Sequence, residues 1–100
     1  MALHIEQTAH YQGENWWKWS VWLEGNETEL NRVASVTYVL HPTFNNPVRT
    51  VTSRQDKFRL DTAGWGTFVI HASVKLADGN VEHLKHELQL FYDDGTATTA

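Results

Sequence analysis

The sequence predicts an all-β chain folded as an immunoglobulin-like β-sandwich of seven to eight antiparallel strands. Three observations predict it. Apolar residues recur at every second position along most of the chain, the spacing of a half-buried strand, while helical spacing is confined to one short stretch. Turn signals at Gly25-Asn26, His41-Pro42, Asn46-Pro47 and Asp78-Gly79 interrupt the pattern at near-regular intervals. Finally, 100 residues at 41% hydrophobic and 12% aromatic content suit one core and are too few for the usual two domains. Cysteine is absent, so five Trp, three Tyr and four Phe must supply much of the burial that holds so small a fold together.

The strands follow in order. From Leu3 to Tyr11, the residues Leu3, Ile5, Ala9 and Tyr11 alternate with His4, Glu6, Thr8 and His10. Trp16 to Glu24 places Trp17, Trp19, Val21 and Leu23 on a core face and leaves Trp16 and Trp22 half exposed on the other. After the Gly25-Asn26 turn, Val33 to Leu40 sets Ala34, Val36, Tyr38 and Leu40 against Val33, Ser35, Thr37 and Val39, with both faces partly covered. Pro42 pushes His41 toward extended geometry and ends that strand without a helix. Short strands are expected at Val48 to Thr52 and Lys57 to Leu60. Gly64-Trp65-Gly66 then breaks the pattern. Next, Phe68, Ile70, Ala72, Val74 and Leu76 face inward, and Asp78-Gly79 signals a hairpin. The last strand, Val81 to Tyr92, presents Leu84, His86, Leu88, Leu90 and Tyr92 on one side. The domain is expected to span residues 1–92, with residues 93–100 a polar tail.

Composition excludes several function classes. Eight Lys and Arg against twelve Asp and Glu give a net charge of −4 with no basic run, which argues against nucleic acid and favours a cationic partner such as a lysine-bearing peptide. The apolar runs are far shorter than the ~20 residues that cross a bilayer, and the N-terminus lacks the layout of a signal peptide. With no cysteine, the expectation is a cytoplasmic protein that is not exported. Asn26-Glu27-Thr28 matches a glycosylation sequon, a short pattern that chance often produces. His83 and His86 fall on opposite faces of a strand, so no metal site and no cofactor is expected. His41, Asp61 and Ser53 are the residue types of a triad, but no Gly-x-Ser-x-Gly elbow or cysteine nucleophile accompanies them, and the chain is read as non-enzymatic. The oligomeric state is not legible.

Two loops carry residues that packing does not ask for. Leu40 to Pro47 holds an imidazole (His41), a hydroxyl (Thr43) and an aromatic ring (Phe44) within four positions. Gly64-Trp65-Gly66-Thr67-Phe68 holds an indole between two glycines, which free the backbone and let a ligand approach main-chain amides. This is the composition of an aromatic-walled pocket. The competing reading makes Phe44 and Trp65 hydrophobic plugs at the open end of the sandwich.

These same residues carry a resemblance. Leu40-His41-Pro42-Thr43-Phe44 with Asn46-Pro47-Val48-Arg49, then Gly64-Trp65-Gly66-Thr67-Phe68, resembles the YEATS domain, which joins a Leu-His-x-Ser/Thr-Phe/Tyr loop to a Gly-Trp/Tyr-x-x-Phe loop. Trp19-Ser20-Val21-Trp22-Leu23-Glu24-Gly25 is similar to that family's early tryptophan strand, so the resemblance covers about residues 14–92. It implies a reader of acylated lysine, acetyl or crotonyl. Phe44 and Trp65 would wall the acyl-amide, Thr43 would bond it, His41 would line the channel, Gly64 and Gly66 would let main chain reach the ligand, and Phe68 would close the floor. The partner implied is an acylated-lysine peptide or protein. Asn15 stands where many eukaryotic members carry a rim aromatic, which leaves Trp16 or Trp17 to complete the rim; Arg54-Gln55-Asp56-Lys57 replaces a proline-rich step before Phe58. The chain is more similar to the prokaryotic branch. The alternatives are an interaction or scaffold module with a vestigial pocket, as in a bacterial signalling system, and a carbohydrate-binding sandwich using Trp16 and Trp22 as a platform.

Overall fold

A computed structural model describes residues 3–44 and 46–97; Met1, Ala2, Asn45 and the last three residues of the expected tail lie outside them. Seven strands form two antiparallel sheets. Strands β1 (His4–Gly13), β2 (Trp16–Glu24) and β5 (Leu60–Gly64) pair in the order β1-β2-β5; strands β3 (Val33–Val39), β4 (Val48–Val51), β6 (Val69–Leu76) and β7 (Val81–Glu87) pair in the order β4-β3-β6-β7. The fold is the immunoglobulin-like sandwich that the alternation predicts.

Alternation places the core. Trp17, Trp19, Val21 and Leu23 of β2 and Ile70, Ala72, Val74 and Leu76 of β6 are buried, as their period-two spacing requires. Trp17, Trp19, Tyr38 and Phe58 are the largest fully buried side chains. Tyr38 donates its hydroxyl to the Phe58 carbonyl at 2.8 Å, and burial pushes its phenol well above the ordinary range. Trp17 donates Nε1–H to the Phe91 carbonyl at 2.8 Å.

Four expectations need correction. Val33 is buried and Ala34 exposed, because the register shifts between Val33 and Ser35, and the extra residue of the bulge turns the chain over. Gly25-Asn26 leads into a one-turn helix, α1 (Glu27–Asn31), whose first turn is capped by Asn26 accepting from the Glu29 N–H at 2.8 Å. The strand expected at Lys57 to Leu60 begins where it was to end. Lys57 and Phe58 both have φ of 59°, left-handed backbone that no strand contains, so the spacing of the buried Phe58 and Leu60 imitates a strand. Strand β7 stops at Glu87, although Leu88 and Leu90 remain buried.

Beyond β7 the chain leaves β6 and runs beside the first sheet. Gln7, the polar residue at an inward position of β1, meets it there. Its side-chain amide donates to the Gln89 carbonyl at 2.7 Å and accepts from the Gln89 N–H at 2.9 Å, and His86 Nε2 donates to the same Gln7 oxygen at 2.6 Å. Desolvation pulls the His86 imidazole below its ordinary range, against the opposing pull of Glu6 and Glu87. Asp93 to Ala97 turns back on Phe91, with the Tyr92 N–H donating to the Thr96 carbonyl at 2.9 Å.

Candidate functional site

Both loaded loops come to the same end of the sandwich. The Leu40 N–H donates to the Pro47 carbonyl at 2.7 Å and closes the base of the β3–β4 loop; Arg49 Nε donates to the Asn46 carbonyl at 2.7 Å. Strand β5 ends at Gly64, and Trp65 to Phe68 cross to β6 in the other sheet. Between the loops lies a cavity of about 320 Å³, at the small end of the ~300–1,000 Å³ usual for ligand pockets.

The seven residues singled out in the sequence all line it: His41, Thr43 and Phe44 from the first loop, and Gly64, Trp65, Gly66 and Phe68 from the second. Trp16, Ala63 and Thr67 join them. Of the two tryptophans left open for the rim, Trp17 is buried and bonded to Phe91, whereas Trp16, one residue earlier and so on the opposite face, is 44% exposed and lines the cavity. Ala63 escaped notice because its strand was expected three residues too early. Thr67 sits inside the second motif, but nothing in the alternation marks it.

The rear of the cavity is an aromatic cluster. Phe44 is half-buried against the core, its ring edge-on to Trp19 at 6.1 Å between centroids and tilted on Phe68 at 5.4 Å; Phe68 also meets His41 at 6.0 Å. Gly64 makes the seat possible: a Cβ there would stand 3.2 Å from Phe44 Cζ. Trp65, in contrast, is 57% exposed, and its indole makes no ring contact or hydrogen bond among the described residues.

The polar edge is His41 with Thr43. The Thr43 backbone N–H, which can only donate, points at His41 Nδ1 at 3.3 Å, and Thr43 Oγ1 lies 2.9 Å from the same nitrogen. Nδ1 therefore carries no proton, the hydroxyl donates to it, and the lone pairs of Oγ1 are left to accept. Among the described residues no Lys, Arg, Asp or Glu lines the cavity. An ammonium entering it would lose hydration with no carboxylate to offset the cost, which is far larger than the cost for a neutral amide.

The ionised groups with displaced acidities lie elsewhere. Asp61, on the outer face of β5, is held below the usual carboxylate range by Arg59 and by the Ser20 hydroxyl; Lys57 does the same for Glu24. Of His41, Asp61 and Ser53, Asp61 is tied to Arg59 and Ser20, and His41 to Thr43. His83 bonds Ser73 at 3.4 Å while His86 reaches Gln7, and among the described residues no three metal-ligand side chains cluster. No described helix is long and apolar enough to cross a membrane.

The family model described as the prokaryotic YEATS domain matches residues 17–89. The chain belongs to the YEATS family. Among curated proteins, this YEATS domain is 41% identical to transcription initiation factor TFIID subunit 14 of Schizosaccharomyces pombe over 66% of the chain and 29% of the relative. It is 30% identical to TFIID subunit 14b of Arabidopsis thaliana over 89% of the chain and 33% of the relative. It thus spans about a third or less of the length of both. Among solved structures, the Yaf9 YEATS domain bound to H3K27ac superposes with a TM-score of 0.73 at 23% identity, over 97% of this chain and 79% of that one, a likeness of fold. The Yaf9 YEATS domain recognising an H3K122suc peptide gives 0.73 at 25% identity, over 96% and 74%; Yaf9 is a yeast protein.

Proposed function

We propose that this YEATS domain reads acylated lysine in a partner protein and catalyses no reaction. The carrying observation is the cavity itself: two aromatic side chains, Phe44 and Trp65, line one uncharged opening together with an accepting hydroxyl on Thr43 and the glycine backbone at Gly66. In this reading the flat acyl-amide slides between the two rings, its N–H donates to Thr43 Oγ1, and its carbonyl accepts from second-loop main chain at Gly66. Trp16 covers the lysine methylenes at the mouth, and Phe68 forms the floor. Acylation removes the lysine charge, which is what an opening without counter-charge selects. The solved YEATS domains with acylated histone peptides support the same ligand class for this fold.

Two ring contacts and two hydrogen bonds at ~0.5–1.5 kcal/mol each give only about 2–6 kcal/mol before the cost of association, so a single acyl-lysine should bind weakly. Neighbouring cationic residues of the partner add attraction to a surface of net charge −4. A sugar platform on β2 is less well supported: Trp22 carries the Arg59 guanidinium over its ring at 5.5 Å, and Trp16 belongs to the cavity.

The test is an NMR titration with acetyl-lysine and crotonyl-lysine peptides against the unmodified peptide, on wild type, Phe44→Ala and Trp65→Ala. Acylated peptides should shift resonances of both loops, and each substitution should weaken them at least about fivefold, one lost ring contact. Equal shifts with acylated and unmodified peptide would sink the reading and leave the scaffold alternative.

A further inference from the structure

The indole N–H of Trp19 is buried with no hydrogen-bond partner among the described residues. A buried donor left unmatched costs its full desolvation, so native proteins keep few of them, and one that persists calls for a partner that comes from outside. The neighbouring core indole, Trp17, shows the ordinary solution in its bond to Phe91. Trp19 itself is 2% exposed.

Its place ties it to the cavity. The Trp19 ring meets Phe44 at 6.1 Å and Phe68 at 5.9 Å, both of them cavity walls. At Gly64, a third lining residue, a Cβ would stand 3.7 Å from Trp19 Nε1 and 3.2 Å from Phe44 Cζ. The N–H thus lies beside Gly64, which has no side chain, and the tip of the Phe44 ring, both of which line the cavity.

We propose that Trp19 Nε1–H is a hydrogen-bond donor at the back of the acyl pocket, and that the pocket prefers acyl chains bearing an uncharged oxygen beyond the amide over plain alkyl chains of the same length. This rests on the reading of the cavity as an acyl-lysine site. Thr43 serves the amide at the mouth; the Trp19 N–H lies deeper, beside the tip of Phe44. A purely hydrocarbon chain fills that space and leaves the donor unmatched, whereas a hydroxyl or keto oxygen that reaches past Phe44 satisfies it. A carboxylate is disfavoured, because among the described residues no Lys or Arg lines the cavity and one neutral donor does not offset a buried anion.

Peptides identical except for butyryl-, 3-hydroxybutyryl- or succinyl-lysine test this by titration into ¹⁵N-labelled protein, read at the five tryptophan indole resonances. The 3-hydroxybutyryl peptide should bind about two- to tenfold tighter than the butyryl peptide, the worth of one net neutral hydrogen bond. It should also outbind the succinyl peptide and move the Trp19 indole proton downfield, which butyryl should not. Trp19→Phe keeps an aromatic ring and removes the donor, so it should bring butyryl and 3-hydroxybutyryl level; if that variant fails to fold, the indole shift in the native chain decides. Equal affinities with an unmoved Trp19 resonance overturn the proposal and leave the acyl-lysine reading standing, and succinyl as the tightest ligand overturns the preference for an uncharged oxygen. A series in which no acyl group outbinds unmodified lysine overturns both.

Discussion

Phe44 and Trp65 line the same cavity, yet one is seated on Trp19, Phe68 and the α-carbon of Gly64 while the other stands 57% exposed between Gly64 and Gly66. The first wall is fixed by the core before any ligand arrives. The second stands in solvent with no ring contact among the described residues, so its side chain must be ordered by whatever it meets, a cost drawn from binding. A pocket made this way offers a rigid template on one side and an adjustable cover on the other. Phe44 therefore carries stability and recognition together, and Trp65 recognition alone.

Substitutions can break or sharpen that contrast. Phe44→Ala should have the largest effect, destabilising by about 2 kcal/mol, below the ~3–5 of a fully buried ring, with a fall of about 10 °C in Tm by thermal melt, alongside the loss of acyl-peptide binding. Gly64→Ala should come next. Its new Cβ would crowd Phe44 Cζ at 3.2 Å and force the ring off its seat, costing about 1 kcal/mol and weakening the acylated peptide even though the residue changed carries no ring. Trp65→Ala should stay within ~0.5 kcal/mol of wild type in denaturant unfolding while abolishing acyl-dependent shifts. A loss of stability equal to that of Phe44→Ala would make Trp65 a structural plug and erase the contrast.

Acid gives the smallest effect on stability, and it acts through the scaffold imidazole of His86. His86 is depressed below its ordinary 6.5. On acidification the unfolded chain takes up that proton first, so stability should begin to fall as pH drops through 6.5 and go on falling until the lower folded value is passed. Unfolding curves of wild type and His86→Gln between neutral pH and pH ~5 should converge toward acid, with the variant's pH dependence the flatter of the two.

Much of this was legible in the sequence. Strands β2 and β6 alternate so regularly that their buried faces could be read directly, and the residue types clustered on the two loops pointed to the pocket, with the resemblance to the YEATS loops adding Phe68; packing nonetheless uses Phe44 and Phe68 as well. What stayed hidden turned on backbone events that side-chain pattern does not register: the bulge that buries Val33 in place of Ala34, and the left-handed Lys57 and Phe58 that delay β5 and concealed Ala63. Trp16 and Trp17 show the opposite: alternation alone set Trp17 in the core and left Trp16 half exposed, and the rim place left open between them falls to Trp16 accordingly. The unmatched donor on Trp19 was beyond any pattern, because it depends on what is missing around one atom.

The Gln7 amide has a consequence for how the molecule behaves in company. By answering both the N–H and the C=O of Gln89, it does for the segment that follows β7 what a neighbouring strand would do. Unclosed sheet margins are where separate chains zip together into aggregates or swap segments. A single side chain, steadied by His86, acts here as a clasp against self-association, so Gln7→Leu should be felt first as poor solubility at high concentration.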